Sequence, residues 1–155
     1  MSLESELREQ KVAHLDLSSF SLAPSGSTVR AALDQLRSDG NTTCLVTENG
    51  KLMGIFTERD VLRRVVDAPG ALDSPIDQVM TPAPTTISPD ASAAEALRLM
   101  DEHHFRNLPV VDDDGAIVGN MTHQSVIAYL ATRHPVEVLN LPPRPNQFPR
   151  KAEGG

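Results

Sequence analysis

Residues 52–62 read LMGIFTERDVL, and residues 117–127 read IVGNMTHQSVI. A helical pattern precedes each stretch, VRAALDQL at 29–36 and AAEALRLM at 93–100. The two copies are offset by about 65 residues, and a fixed offset is the sequence signature of an internal repeat. Two copies are too few for a solenoid. The repeat therefore predicts two similar units that share one core, with clefts between them.

Each copy is expected to fold as β-α-β-β-α. In the first copy, Thr28 is the predicted N-cap of a helix that runs to about Ser38, with apolar residues at i, i+3, i+4 and i+7. Asn49-Gly50 predicts a tight hairpin turn between the strands at 44–47 and 52–56. A short strand at 20–22 precedes this helix. The polar residues 2–11 are consistent with either a short helix or a frayed arm.

Thr57 is expected to begin a second helix that runs to about Val66 and turns Val61, Leu62 and Val65 inward. The second copy repeats this order. Its predicted elements are a strand at 85–87, a helix at 92–103, strands at 108–112 and 117–121, and a helix from 122 or 123 to about 132. The domain organisation is an arm at 1–11, repeats at 12–68 and 79–132, a linker at 69–78 and a Pro-rich tail at 133–155.

Composition excludes several classes of protein. The chain has 155 residues, no Trp, one Tyr, four Phe and a formal net charge of −7. Because nucleic-acid binding needs an electropositive face, this charge argues against DNA or RNA as a partner. A single cysteine, Cys44, permits no internal disulfide and lies in an apolar strand. With no apolar segment long enough to span a bilayer and no signal peptide, we expect no membrane association and a cytoplasmic location.

The junction between the strand and the second helix of the first copy carries the most chemistry. Thr57 and Asp60 stand at the start of a helix, where free N–H groups suit a phosphate. An acid beside them could accept hydrogen bonds from both hydroxyls of a ribose. Gly54, two positions before Phe56, indicates a close approach by a ligand or by another backbone. The same Thr-x-x-Asp is close to a capping box, which needs no ligand.

The doubled context resembles the cystathionine-β-synthase (CBS) domain family, in the stand-alone bacterial tandem form called a Bateman module. The resemblance rests on VRAALDQL, CLVTENGKLMGIFTERDVL, VMTPAPTTISPDASAAEALRLM and FRNLPVVDDDGAIVGNMTHQSVI, and it covers roughly residues 12–132. It implies an α+β fold in which two β-α-β-β-α repeats pack sheet to sheet with pseudo-two-fold symmetry. It also implies clefts that bind adenine nucleotides or, in some members, S-adenosylmethionine.

Carried over to this sequence, the resemblance places phosphates at Thr57 and ribose hydroxyls at Asp60. The second repeat would complete the adenine pocket, and Arg106 is the cation best matched to a phosphate. Arg59 and His104 are weaker candidates. The expected nucleotide site consists of Ile55, Thr57, Arg59, Asp60, Thr86, Ile87, His104, Phe105, Arg106, Asn107 and Pro109.

The second cleft departs from the pattern. Thr122 matches Thr57, but Ser125 stands where the acid should be and Asn120 replaces an apolar residue. A serine does not supply the two charged acceptors of a carboxylate, so this site is expected to be weak or empty. Its predicted residues are Ser21, Leu22, Thr42, Thr43, Thr122 and Ser125, with Asn41 nearby.

No metal or catalytic site is expected. His103 and His104 are adjacent on a helix, where neighbouring side chains diverge, and the acidic run at 112–114 lacks calcium-loop spacing. Nothing pairs a Ser or Cys nucleophile with a His and an orienting acid. The leading hypothesis is a non-enzymatic sensor of AMP, ADP or ATP that acts as a homodimer or through an effector protein. The alternatives are a ligand-free structural or dimerisation module, a binder of S-adenosylmethionine or NAD(H), and, less favoured, an enzyme that uses the cleft.

Overall fold

The computed structural model describes residues 2–133, so nearly all of the predicted Pro-rich tail lies outside the described residues. The helices are α1 (Leu3–Glu9), α2 (Val29–Asp39), α3 (Glu58–Asp60, continued by a π-helical turn over Val61–Val65), α4 (Ala93–His103) and α5 (His123–Arg133). The strands are β1 (Ser21–Pro24), β2 (Thr43–Glu48), β3 (Lys51–Thr57), β4 (Thr81–Pro82), β5 (Leu108–Val111) and β6 (Ile117–Met121). The α+β fold and the repeated order of elements are as predicted.

The helix ends follow from local chemistry. The Thr28 hydroxyl accepts a hydrogen bond of 3.0 Å from the Ala31 N–H and so caps α2, which ends at Gly40 in the left-handed region with φ 71°. Ser92 caps α4 in the same way through the Glu95 N–H at 3.0 Å. Capping satisfies N–H groups that have no partner within the helix, so these residues determine where each helix begins.

The two sheets have the same order of segments, although the segment beside the last strand is antiparallel in the first sheet and parallel in the second. In the first, the strand order is β1-β2-β3-β4, with β1 parallel to β2 and the other pairs antiparallel. In the second, β5 and β6 are antiparallel, and single parallel bridges join Ile87 to Val110 and Ser18 to Asn120. Each sheet is therefore a hairpin with one short segment added at each edge.

The fourth segment of each sheet comes from the stretch that leads into the other repeat. β4 leads into the second repeat but pairs with β3 of the first. Ser18 leads into the first repeat but bridges to β6 of the second, and the Asn120 N–H donates to the Leu17 carbonyl at 2.9 Å. The repeats thus exchange their leading segments, which ties the two halves together through backbone hydrogen bonds.

The hydrophobic cores show the same exchange. Val12, Leu15 and Leu17 lie in the second core, although residue 12 was predicted to begin the first repeat. The first core contains Ala71, Ile76, Val79 and Met80, from the predicted linker and the start of the predicted second repeat. Boundaries drawn in chain order therefore do not coincide with the cores, because each leading segment buries its apolar side chains across the pseudo-two-fold axis.

Two glycines make this exchange possible. A Cβ on Gly54 would lie 2.3 Å from the sulfur of Met80, and a Cβ on Gly119 would lie 2.4 Å from the Cβ of Leu17. Both distances are shorter than real carbon contacts allow. The close approach that Gly54 indicated in the sequence is thus made by the exchanged segment of the same chain.

The N-terminal arm is helical. The Ser2 hydroxyl accepts a hydrogen bond of 3.1 Å from the Ser5 N–H at the start of α1. Leu7 packs against the second core, and the Tyr129 hydroxyl and the Gln10 side chain lie 3.2 Å apart as a hydrogen-bonded pair. Of the two structures left open by the sequence, the structure has the short helix, and it covers part of the second repeat.

Two sequence predictions were wrong in detail. Leu62 is 71% exposed rather than inward, because one helical position is a rotation of roughly 100° away from the stripe formed by Val61 and Val65. The predicted strand at 85–87 is reduced to one bridge at Ile87, whose N–H donates to the Pro109 carbonyl at 3.0 Å. The prolines at 82, 84 and 89 lack an N–H, and this limits pairing on either side.

Candidate functional site

The end of β3 places Thr57 and Asp60 at the start of α3. The Thr57 N–H donates to Oδ2 of Asp60 at 2.8 Å, and the Thr57 hydroxyl lies 3.4 Å from the same oxygen. Asp60 is only 5% exposed. Its carboxylate therefore caps the helix, as the capping interpretation of the sequence predicted.

The second repeat caps its helix without a carboxylate. The Thr122 N–H donates to the hydroxyl of Ser125 at 3.0 Å, and Ser125 is 2% exposed. The same backbone group is thus satisfied at the same place in the repeat by a neutral side chain. It follows that the fold does not require an acid at position 60 for the cap alone.

The Asp60 carboxylate retains one oxygen with no hydrogen bond to the described residues. Oδ1 lies 4.0 Å from a guanidinium nitrogen of Arg64. That nitrogen is already engaged, because it donates to the carbonyls of Val79 and Met80 at 3.0 and 2.9 Å. Oδ1 therefore has an ion pair with Arg64 but no hydrogen bond to a described residue, and it keeps its capacity to accept one.

Asp60 lines a cleft of about 370 Å³ between the two repeats. Eight of the predicted nucleotide-site residues line this cleft, namely Ile55, Thr57, Arg59, Asp60, Phe105, Arg106, Asn107 and Pro109. The structure therefore brings the acid of the first repeat close to the segment at 105–107 that leads into β5 of the second. We call this cavity the first cleft.

Three predicted residues lie elsewhere. Ile87 is buried in the second core, where it bridges to Val110, and Thr86 is partly buried beside it. His104 lines a neighbouring cavity of about 360 Å³, formed by Thr42, Thr43, Thr57, Glu58, Arg59, Leu62, His104, Arg106 and Asn107. We call this second cavity the side lobe. It shares Thr57, Arg59, Arg106 and Asn107 with the first cleft.

Sequence reasoning missed one wall of the first cleft. Thr81, Ala83, Pro84 and Thr85 line it because β4 pairs with β3 and carries the following residues past Ile55. The Ala83 N–H donates to the Met53 carbonyl at 3.1 Å, and Ala83 has a φ of 46°. Such a conformation is uncommon for alanine. The prolines at 82 and 84 do predict an extended backbone here. They do not indicate that this segment pairs with β3.

Charge is divided along the cleft. Six of the described Lys and Arg side chains have an ion pair. Arg59 and Arg106 have neither an ion pair nor a hydrogen bond to a described residue, and unlike Lys51 and Arg63, which also lack both, they line the first cleft. Both lie where the first cleft meets the side lobe, and Asp60 supplies the opposite charge. In a chain with a net charge of −7, these two side chains place positive charge at one end of the first cleft.

Several residues predicted for the second site form hydrogen bonds within the protein, although the Thr122 hydroxyl is buried without a partner among the described residues. Ser21 is buried and donates to Asp39 at 2.5 Å, Leu22 is half exposed, and the Asn41 amide donates to Ser21 at 3.1 Å. Thr42 and Thr43 line the side lobe. On the opposite side, Thr122 and Ser125 bond each other, and the fully buried Asn120 donates to the Ser19 carbonyl at 3.1 Å. The weak second site stays a prediction.

Other reactive groups are accounted for by packing. Cys44 is buried in β2, and burial raises the pKa of its thiol to about 11, so it is a poor nucleophile at neutral pH. The rings of His103 and Phe105 stack at 5.2 Å. Within residues 2–133 no group of three or more His, Cys, Asp or Glu side chains is arranged to hold a metal. No helix in that range has the length and apolar character needed to cross a bilayer.

A sequence model of the CBS domain matches the chain twice, over residues 18–67 and 76–132. The chain is 38% identical over 99 residues to the meiotically up-regulated gene 70 protein of Schizosaccharomyces pombe. That match covers 62% of this chain and 13% of the yeast protein, so the chain spans only a small part of its relative.

Solved structures have the same fold. The chain superposes on CBSX2 in complex with AMP with a TM-score of 0.69 and 23% identity, covering 81% of this chain and 99% of that one. It superposes on the cytosolic domain of the Mg2+ channel MgtE in complex with ATP with a TM-score of 0.66 and 26% identity, covering 82% and 51%. The architecture is therefore a pair of CBS domains, and some structures that share it bind AMP or ATP.

Proposed function

The chain belongs to the CBS domain family, whose members are generally regulatory modules, and we propose that it senses an adenine nucleotide in the first cleft. The candidate ligands are AMP, ADP and ATP. Support comes from the bound nucleotides of two structural neighbours and from the chemistry of the cleft, which offers a carboxylate at one place and two unpaired guanidinium groups at another.

One observation carries the proposal. Asp60 and Ser125 make the same cap in the two repeats, yet only the first repeat has a carboxylate there. Burying a carboxylate at 5% exposure is unfavourable unless hydrogen bonds or ion pairs compensate it, and the described residues leave Oδ1 without a hydrogen bond. A ribose supplies that compensation, because its two adjacent hydroxyls are donors that can bond both carboxylate oxygens.

The remaining contacts follow from the walls of the cleft. The ribose lies at Asp60, and the phosphate lies at Thr57 between Arg59 and Arg106, whose planar fork matches phosphate oxygens. The base packs on apolar atoms of Ile55 and Pro109, one from each repeat. A ligand held in this way joins the two repeats, so it favours conformations in which they are close together.

To pass on a nucleotide signal, such a module needs a second surface that contacts another protein. Leu62, in the π-helical turn that continues α3, is 71% exposed, and Val66, directly after that turn, is 62% exposed. Leu62 lines a groove together with Leu33, Leu36 and Val61. Exposed apolar side chains beside a groove of this kind are a common feature of protein contact surfaces. We propose that the chain forms a homodimer or contacts an effector protein through its helices, and that nucleotide binding changes this contact through its differential affinity for two states.

The alternatives remain separate proposals. Binding of S-adenosylmethionine or NAD(H) would use the same carboxylate, because both ligands carry a ribose. A ligand-free structural module would use Asp60 as a cap only, and an enzyme would turn over what it binds. The proposed module is not an enzyme and contacts neither nucleic acid nor membrane. Its predicted cytoplasmic location agrees with a single buried thiol.

The test is Asp60→Ser, which copies the cap of the second repeat. Thermal unfolding is measured with and without AMP, ADP, ATP, NADH and S-adenosylmethionine. At a ligand concentration of about 100 Kd the wild type should gain roughly 2.7 kcal/mol. The variant should lose that gain and keep an unliganded stability within about 1 kcal/mol of the wild type, since a serine replaces one capping side chain with another.

Asp60→Ala is the matched control, because it removes both the carboxylate and the cap. It should lose the ligand response and also about 1 kcal/mol of unliganded stability. A wild type that responds to none of the five ligands would contradict the sensor proposal. A response that survives in Asp60→Ser would show that the carboxylate is only a cap. Release of hydrolysis products would favour the enzyme.

A further inference from the structure

A partly buried polar network links the two halves of the molecule at the edge of the first cleft. Asn120 in β6 is completely buried. Its amide nitrogen donates to the Ser19 carbonyl at 3.1 Å and to Oδ1 of Asn107 at 3.0 Å. Because a backbone carbonyl only accepts hydrogen bonds, the orientation of the Asn120 amide is determined, and both of its N–H groups are used.

The same network determines the orientation of Asn107. Its Oδ1 accepts one hydrogen bond from Asn120 and another of 2.9 Å from the hydroxyl of Thr43, which is 3% exposed. A rotated amide would place Nδ2 against these two donors, so the orientation with Oδ1 toward them is favoured. The Nδ2 group of Asn107 has no hydrogen bond to any described residue. The network therefore leaves a donor, and not an acceptor, available for a ligand.

The position of Asn107 indicates which part of a ligand that donor meets. Asn107 lines both the first cleft and the side lobe, and the residues it shares these cavities with are Thr57, Arg59 and Arg106. Two cations and a helix start surround the junction of the two cavities. A fixed N–H donor in that setting is complementary to an anionic oxygen.

We propose that Asn107 is a specificity-determining residue that donates its amide N–H to a ligand phosphate, and that Asn120 is the positioning residue that orients it. This inference rests on the proposed function, because it names a contact to the same ligand. It also assigns a role in the first cleft to a residue of the second repeat that departs from the first. Asn120 stands where the first repeat has Ile55, and its amide acts on Asn107 instead of admitting a second ligand.

Asn107→Asp tests the donor. An aspartate keeps an oxygen for Thr43 and Asn120 but replaces the N–H donor with an anionic acceptor. The dissociation constant of AMP should rise at least about tenfold, since a hydrogen bond to a charged group is lost and repulsion is added. The affinity for adenosine, which has no phosphate, should change less than about twofold. Calorimetry measures AMP, and ligand-detected NMR measures adenosine to millimolar Kd.

Asn49→Asp is the matched control. It adds the same charge in the exposed turn between β2 and β3, at the opposite end of β3 from Thr57, and should leave the preference for AMP over adenosine unchanged. An AMP affinity unchanged by Asn107→Asp, or equal losses for AMP and adenosine, would overturn the donor role.

Asn120→Ile and Thr43→Val test the positioning. Each removes one donor to Asn107, so the preference for AMP over adenosine should fall several-fold, about the contribution of one weakened hydrogen bond. Unliganded stability also falls in these variants, but lower stability alone reduces both affinities together and leaves their ratio unchanged. An unchanged ratio in Asn120→Ile would overturn the positioning role. If the wild type binds ADP or ATP instead of AMP, the same ratio is measured with that nucleotide. A wild type that binds none of the three would instead refute the proposed function itself.

Discussion

The starts of α3 and α5 perform the same structural task with different chemistry. In the first repeat a carboxylate accepts the N–H of Thr57, and in the second a hydroxyl accepts the N–H of Thr122, at 2.8 and 3.0 Å. Comparing Asp60 with Ser125 separates the helix cap, which both repeats have, from the negative charge, which only the first repeat has. A cap is needed at both places, whereas the charge is present at only one.

The difference extends to the strands that precede these helices. Ile55 in β3 is apolar and lines the first cleft, whereas Asn120 in β6 is polar and bonds Ser19 and Asn107. The first repeat thus leaves space between the halves, and the second repeat uses a side chain to connect them. Pseudo-symmetry of the backbone does not require symmetry of function, because the backbone tolerates either side chain at this position.

The largest expected effect is a loss of folding stability when the two equivalent glycines, Gly54 and Gly119, are replaced by alanine. Gly119→Ala should destabilise the protein by about 1–3 kcal/mol, because the new methyl group meets the Cβ of Leu17 at 2.4 Å and its backbone oxygen at 2.8 Å. Gly54→Ala should cost less, because its nearest neighbours are atoms of the flexible Met80 side chain. Urea unfolding of both variants measures the difference. Equal losses would show that the exchanged segments are equally rigid.

Low pH should weaken the attachment of the linker at 69–78 to the first repeat more than it weakens the attachment of the residues before Ser18 to the second. The linker is held on the first repeat partly by Asp77, where hydrogen bonds from the Ser25 hydroxyl and the Gly26 N–H keep the carboxyl pKa below its usual value of 3.8. A lowered folded pKa contributes stability that is present above the usual pKa and is lost as the pH falls through the folded value. The residues before Ser18 are held by backbone bonds such as Val12 N–H to Ala91 O at 2.8 Å.

Asp77→Asn should therefore lower stability at neutral pH by about 1 kcal/mol or less, because this carboxyl is near the surface. It should also flatten the loss of stability that the wild type shows below about pH 4. The measurement is the free energy of urea unfolding across that range. Asp113→Asn, in the exposed turn after β5, is the control and should retain the wild-type pH profile. An unchanged profile in Asp77→Asn would contradict the assignment.

The smallest effect is expected from restoring the acid in the second repeat. Ser125→Asp should leave the stoichiometry at one nucleotide per chain, because the Asn120 amide still bonds Ser19 and the opposite side offers no counterpart of Arg106. Titration calorimetry with AMP measures the stoichiometry. A second equivalent bound by this variant would show that the carboxylate alone distinguishes the two clefts.

The sequence predicted the elements and most of the first cleft. Capping residues such as Thr28 and Ser92 act on neighbours within one helical turn, and repeated motifs are defined by their spacing along the chain. Both can therefore be predicted from the sequence alone. The inward placement of Leu62 was wrong, because a two-residue apolar run on a helix does not say which residue faces the core. The wall at Thr81–Thr85 was missed, because prolines indicate extended backbone without naming the strand beside it.

By itself the sequence determined the repeat, the capped helix starts, the strand turn at Asn49-Gly50 and the contrast between Asp60 and Ser125. These depend on side-chain type and on spacing along the chain. Only the tertiary structure decided which core each leading segment joins and which way the Asn107 amide points. Those features depend on contacts between residues far apart in the chain, where competing buried surfaces and hydrogen-bond partners select one arrangement.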